Sequence, residues 1–73
     1  MANLHKQFLI FLGRKVREKR EKMGVSQERL GELTKFHRTY VGMVERGEKN
    51  ITIFNIKRFA DALGVKVRDL IDF

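Results

Sequence analysis

The chain has 73 residues, of which 42% are hydrophobic and 34% charged, a formal net charge of +7, and neither cysteine nor proline. This length predicts a single domain over 1–73, near the lower size limit for burying a core, and the lack of cysteine excludes disulfides and thiolate zinc sites. The positive charge favours a polyanionic partner, nucleic acid ahead of an anionic membrane; ordinary solubility charge is the competing interpretation.

The first predicted helix covers 4–23 and is amphipathic. Its apolar residues recur at steps typical of one helical face: Phe8, Leu12, Val16 and Met23, with Leu9 and Phe11 widening this face at its start. Gly24 is a natural helix stop. The basic residues within 14–22 are most simply its solvent-facing side.

No segment approaches the roughly 18 apolar residues that a membrane span needs. The longest apolar run, 8–12, is also too short for most signal sequences and is followed directly by charged residues. We therefore expect a cytoplasmic protein at the bacterial nucleoid, with no membrane partner.

A second helix is predicted over 27–34. Ser26 is a good N-cap residue, and Leu30 and Leu33 are expected to face the core. Gly31 lowers helix propensity by up to about 1 kcal/mol relative to alanine, and a closely packed neighbouring backbone would explain it.

A third helix is predicted over 38–45, ending at Gly47 and separated from the second by a very short turn. Two short helices so connected form a helix-turn-helix candidate over 27–45. The spacing alone is weak support, because many helical bundles contain such a corner.

The C-terminal part predicts two more helices. Thr52 is a plausible N-cap for a helix over 53–63 that ends at Gly64, and a short last helix begins near Arg68. The fourth helix should place these apolar residues on one face: Ile53, Ile56, Phe59, Ala60 and Leu63. Residues 65–67 have strand character, but a lone strand has no partner. The prediction is an all-α bundle of five short helices.

The sequence contains no catalytic constellation. There is no nucleophile–base set, no phosphate-binding glycine-rich loop and no metal cluster, and His5 and His37 lack metal-ligand spacing. We therefore expect no enzyme activity, no metal and no cofactor.

Three segments together carry a family resemblance: "LGRKVREKREKMGVSQERLGEL" at 12–33, "RTYVGMVERG" at 38–47 and "FADALGVKVRDLI" at 59–71. They resemble the lambda-repressor-like (Cro/C1-type, Xre) helix-turn-helix family over about 12–71. Within it, "RTYVGMVERGEKNITI" at 38–53 and the single short domain are most similar to the controller proteins of restriction–modification systems.

In such a fold the third helix is the recognition helix, whose first turns read base edges. Arg38 can bond guanine O6 and N7, and Thr39 can meet a thymine methyl or a phosphate. Tyr40 can stack along the groove wall or bond a phosphate, and Met43 can touch an apolar base edge. Gly42 would leave the helix bare for close approach to DNA. The competing interpretation is that these side chains are merely exposed.

Four residues are candidates for the DNA backbone. The resemblance implies that Gln27 bonds a phosphate and supports the recognition helix, and free helix N-termini also attract phosphate. Arg46, Lys49 and Asn50 follow the recognition helix and suit flanking phosphate contacts. A solvated surface is the competing interpretation.

Three further features follow from comparison with the family pattern. The resemblance implies an ion pair between Glu45 and Arg20. Lys35 stands where the turn often has glycine, so it must adopt a positive φ, at a cost of about 1–2 kcal/mol. His37 replaces the usual Ser, Thr or Asp near the N-cap of the recognition helix. This predicts a mild pH dependence of DNA binding, because a protonated imidazole beside a phosphate would favour binding.

The resemblance also implies a homodimer on a near-palindromic operator with half-sites about 34 Å apart. We place the interface on apolar residues near the C-terminus: Phe54, Val67, Ile71 and Phe73. Core packing is the competing interpretation for each, and for Ile71 the two are equal. The N-terminal run of Leu9, Ile10 and Phe11 is the alternative surface, unless it caps the core.

The resemblance to controller proteins implies that this protein binds DNA upstream of its own gene. It implies activation of that gene and of an endonuclease gene at low occupancy, and repression at high occupancy. No small-molecule effector is expected. A phage-type repressor or an antitoxin-type regulator is the close alternative. A different class is a basic protein- or membrane-interaction module that uses the amphipathic segment 8–20.

Overall fold

The computed structural model describes residues 4–73, which form five α-helices: α1 (Leu4–Met23), α2 (Gln27–Thr34), α3 (Arg38–Glu45), α4 (Ile53–Leu63) and α5 (Val67–Ile71). The predicted all-α fold and helix order are confirmed, and no strand forms within 4–73. Ser26 Oγ and Thr52 Oγ1 accept hydrogen bonds from the third backbone N–H of α2 and α4, as their N-cap assignment predicts.

The last helix begins at Val67, one residue earlier than expected. Lys66 precedes it and offers no side-chain acceptor to the helix. Asp69 compensates, because its carboxylate accepts the backbone N–H of Lys66 at 2.9 Å. An acidic residue in the first turn also favours the positive end of the helix dipole.

One buried cluster unites all five helices: Leu12, Val16, Leu30, Val41, Val44, Ile56, Phe59, Ala60, Leu63 and Leu70. Five residues of the predicted apolar faces are instead exposed, namely Phe8, Phe11, Met23, Leu33 and Ile53. Phe8 and Phe11 pack on Phe73, and the other three lie at or next to the end of a helix. The buried line of α1 runs through Leu9, Leu12 and Val16 and continues to the largely buried Arg20.

Burial of α1 bears on the interaction-module alternative. Leu12 is 1% exposed and Val16 is fully buried, so these two apolar residues of segment 8–20 are used by the core and are not free to enter a membrane surface, whereas Phe8 and Phe11 are exposed. Within residues 4–73, no helix has the length and apolar character to cross a membrane.

The turn between α2 and α3 is unusually tight. A Cβ at Gly31 would lie 2.6 Å from the backbone oxygen of Phe36, which confirms that a close backbone explains this glycine. Phe36 N–H donates to Gly31 O at 3.0 Å. Lys35 has the predicted positive φ, at 68°. The arrangement fixes the start of α3 against α2.

Candidate DNA interface

The exposed first turn of α3 forms the centre of the candidate interface. Arg38 and Thr39 are exposed, whereas Val41 and Val44 on the opposite face are buried in the core. His37 is the N-cap: its Nδ1 accepts the Thr39 N–H at 3.0 Å. Only an unprotonated Nδ1 can accept this bond, so the cap and a positive charge on His37 are alternatives.

A buried polar network supports α3 from behind. Arg20 donates to Glu45 through Nε at 2.7 Å to Oε2 and through Nη2 at 3.1 Å to Oε1. Arg20 Nη1 also donates to Val25 O, and Gln27 Nε2 donates to Glu45 Oε1 at 3.0 Å. The hydrogen bond to Glu45 raises the pKa of Arg20 above its already high ordinary value, so this arginine stays charged.

The ion pair of Arg20 and Glu45 is therefore present, as the family resemblance implied. The Glu45 side chain is only 2% exposed. Through it, the network joins the last turn of α1, the first residue of α2 and the last residue of α3. Gln27, a predicted phosphate contact, is thus held in place by Glu45.

Gly42 does not leave a bare surface, which corrects the expectation from the sequence. The residue is buried, and a Cβ there would lie 3.1 Å from Arg46 Nη1 and 3.4 Å from Gln27 Oε1. The glycine makes room for these two side chains, both of them predicted phosphate contacts. Close approach of DNA at Gly42 stays a prediction.

Tyr40 is half-buried and connects α3 to α4. Its ring lies 4.8 Å from that of Phe36 and 6.4 Å from that of Phe59, and its hydroxyl accepts from Asn55 Nδ2 at 3.1 Å. Much of the ring is therefore used in packing, which leaves less of it for a groove wall. Met43 is also half-buried. Base contacts of either residue stay predictions.

The segment between α3 and α4 carries the other predicted phosphate contacts. Arg46 Nε lies 2.9 Å from Glu48 Oε2, and this hydrogen bond lowers the pKa of Glu48 below its ordinary range. Lys49 and Asn50 are exposed, and Asn50 Oδ1 lies 2.7 Å from His5 Nε2 on α1. The phosphate contact of Arg46 stays a prediction, and the Glu48 carboxylate would compete with a phosphate for this side chain.

One contact at the interface was missed in the sequence. Arg38 Nη1 lies 2.9 Å from Glu28 Oε2, and both side chains are mostly exposed. The two residues are ten positions apart and meet only because the turn folds α3 back beside α2. An i,i+4 search within one helix cannot find such a pair.

The four predicted dimer residues have different surroundings. Phe54 is 79% exposed, whereas Val67 and Ile71 are partly buried and pack against the core. Phe73 is 53% exposed, and its ring lies 5.4 Å from that of Phe8 and 5.3 Å from that of Phe11. The C-terminus thus joins the N-terminal aromatic residues that were considered as the alternative surface.

Several known proteins with a similar sequence are control proteins. A helix-turn-helix family model matches residues 16–70. Control protein C.BamHI of Bacillus amyloliquefaciens is 43% identical over 65 residues, which cover 88% of this chain and 80% of that protein. Control protein C.SmaI of Serratia marcescens is 42% identical over 60 residues, covering 82% and 71%.

The fold agrees with this relationship. The crystal structure of the restriction–modification controller protein C.AhdI from Aeromonas hydrophila superimposes with a TM-score of 0.86 and 42% identity, over 90% of this chain and 96% of that one. The family consists of DNA-binding regulators and not of enzymes. The chain belongs to the helix-turn-helix family of transcriptional regulators, within the group of restriction–modification controller proteins.

Proposed function

We propose that this controller acts as a homodimer on a near-palindromic operator upstream of its own gene. The observation that carries the proposal is the exposed first turn of α3, on a helix whose last residue, Glu45, is bonded to Arg20 of α1 and Gln27 of α2. A rigid support with exposed polar side chains is what base recognition in a major groove requires.

Arg38 and Thr39 are the proposed principal base contacts. Arg38 would bond O6 and N7 of a guanine in each half-site, a contact that discriminates against the wrong base by about 1–3 kcal/mol. Thr39 would contact a thymine methyl or a neighbouring phosphate. Tyr40 and Met43 would contribute at the edge of the interface, since both are half-buried.

Phosphate contacts would come from the residues around Gly42. Gln27 is oriented by Glu45, and Gln27 Oε1 and Arg46 Nη1 both lie next to Gly42. Lys49 and Asn50 are exposed in the following segment. Such contacts fix the register of the protein on DNA and make affinity depend on salt.

The proposed dimer interface centres on Phe54, with Val67, Ile71 and Phe73 around it. A phenylalanine that is 79% exposed contributes little to the core and is costly to leave in water. A single domain of this size contacts only a half-site, which supports the need for a second copy.

Dimerisation can be tested with Phe54→Asp and, as a control, Met23→Asp. Met23 is an exposed apolar residue at the end of α1, outside the proposed interface. Sedimentation equilibrium should show the wild type and Met23→Asp as dimers and Phe54→Asp as a folded monomer. Dimers of unchanged affinity in Phe54→Asp would overturn the proposed interface.

The regulatory role can be tested with a reporter fused to the DNA upstream of the gene. As the controller concentration is raised, we expect reporter output first to rise and then to fall. Arg38→Ala should abolish both phases at equal protein levels. A monotonic decrease that depends on Arg38 would instead indicate a simple repressor of the phage or antitoxin type.

A further inference from the structure

We propose that Glu28 is a positioning residue for base recognition, acting by holding the Arg38 guanidinium towards the guanine. This inference rests on the proposed role of Arg38. Its basis is the ion pair between Arg38 Nη1 and Glu28 Oε2, at 2.9 Å, across the turn between α2 and α3.

The pair leaves a usable part of the guanidinium free. Glu28 engages Nη1, whereas Nε and Nη2 bond no other residue in the described part of the chain. A planar guanidinium presents its donors in a fixed fork, so fixing one nitrogen orients the others. The remaining edge can then donate to guanine O6 and N7.

The position of Glu28 relative to Arg38 is fixed by backbone packing between α2 and α3. Glu28 is the second residue of α2, one turn before Gly31, whose missing side chain lets the backbone of residues 36–38 pack directly against the helix. The Cα positions of Glu28 and Arg38 are therefore fixed relative to each other. The arginine at the start of α3 also faces the positive end of that helix, where a cation is unfavourable without a nearby acid.

Folding alone gives little reason for this pair. Both side chains are about two-thirds exposed, and exposed ion pairs contribute little to stability. A carboxylate beside the proposed phosphate-binding face also lowers attraction to any DNA. An acid at this position therefore opposes general affinity. Glu28 suits the positive end of the α2 dipole, and its pairing with Arg38 gives it a second role in orienting the guanidinium.

Glu28→Ala separates the repulsion of DNA by Glu28 from its orienting role. Loss of the repulsion should raise nonspecific affinity, whereas loss of the orientation of Arg38 should lower specificity. Glu32→Ala is the matched control: Glu32 lies one turn further along α2, is similarly exposed and pairs with Arg29 at 3.1 Å. Both variants remove one negative charge and should bind nonspecific duplex DNA slightly more tightly. We expect only Glu28→Ala to lower the ratio of operator to nonspecific affinity, by about three- to tenfold.

Two further variants test whether Glu28 acts through Arg38. Glu28→Gln has the same charge as Glu28→Ala but keeps an oxygen acceptor for Arg38. Its ratio of operator to nonspecific affinity should therefore lie between those of Glu28→Ala and the wild type. In an Arg38→Ala background, Glu28→Ala should have no further effect on the ratio. Thermal melting should show at most a small loss of stability in the Glu28 variants, because each loses the negative charge at the start of α2.

The outcomes separate this inference from the proposed function. Wild-type protein without any operator preference would contradict the proposed function itself. An unchanged ratio in Glu28→Ala, with wild-type preference intact, would overturn only the role of Glu28. A loss that persists in the Arg38→Ala background would also overturn positioning and would assign Glu28 to a direct base contact.

Discussion

Arg20 and Glu45 are 25 positions apart in the chain, yet they form a two-point ion pair whose carboxylate is almost wholly buried. A buried charge that loses its partner is strongly destabilising, whereas an apolar pair of similar volume is often neutral. Arg20→Ala should therefore lower the free energy of unfolding by about 3 kcal/mol, because it leaves the Glu45 carboxylate without its charged partner.

Urea denaturation followed by circular dichroism measures this loss. The double variant Arg20→Met/Glu45→Met is the control, since it removes both charges and keeps much of the buried volume. It should be more stable than Arg20→Ala alone. A single variant within about 1 kcal/mol of the wild type would mean that the pair has little structural role.

Gly31 and Gly42 each lie within a helix of the helix-turn-helix, and alanine should have opposite effects on stability at the two positions. At Gly31 a Cβ would lie 2.6 Å from backbone, so Gly31→Ala should unfold the protein or destabilise it severely. At Gly42 it would meet only the ends of the Arg46 and Gln27 side chains, at 3.1 and 3.4 Å.

We expect Gly42→Ala to retain or slightly raise stability, by less than the roughly 1 kcal/mol difference in helix propensity. Its DNA affinity should fall, because Arg46 and Gln27 are displaced. Thermal melting and fluorescence anisotropy with duplex DNA measure the two properties separately. Full DNA affinity in a folded Gly42→Ala protein would contradict the assigned role of this glycine.

Lys35 supplies a direct test of backbone strain. Its φ of 68° is costly for any residue with a Cβ, and glycine removes most of that cost. Lys35→Gly should therefore raise the free energy of unfolding by about 1 kcal/mol. Lys35→Ala is the control for loss of the side chain and should give no such gain. Equal stability of the two variants would show that the turn is unstrained.

His37 should stabilise α3 as an N-cap. His37→Ala removes the acceptor for the Thr39 N–H and should cost about 1 kcal/mol, whereas His37→Ser supplies a hydroxyl acceptor and should be close to wild type. Chemical denaturation of the wild type and the two variants measures these differences in the free energy of unfolding. If serine were as destabilising as alanine, the contribution of His37 would lie in its ring contacts and not in the cap.

Helix positions and the turn could be predicted because their signals are local. Ser26 and Thr52 are capping residues, Gly24 and Gly64 adopt the positive φ that ends a helix, and the short loop forces Lys35 to do the same. None of these depends on distant parts of the chain.

Contacts across the turn and at helix ends could not be predicted in the same way. Burial of Leu33 and Ile53 was expected from helical periodicity, but periodicity does not show where a neighbouring helix stops. Gly42 was interpreted as open surface, whereas the structure places Gln27 and Arg46 beside it. Such errors arise where long side chains from other segments reach across.

We propose that the first turn of α3 reads base sequence through Arg38. Selection from random duplex DNA by the purified protein, followed by sequencing and repeated with Arg38→Ala, tests it most directly. We predict an enriched inverted repeat with a guanine in each half-site, and loss of that guanine preference in the variant. Absence of enrichment, with weak binding that vanishes by about 200 mM salt, would contradict the claim and indicate charge attraction alone.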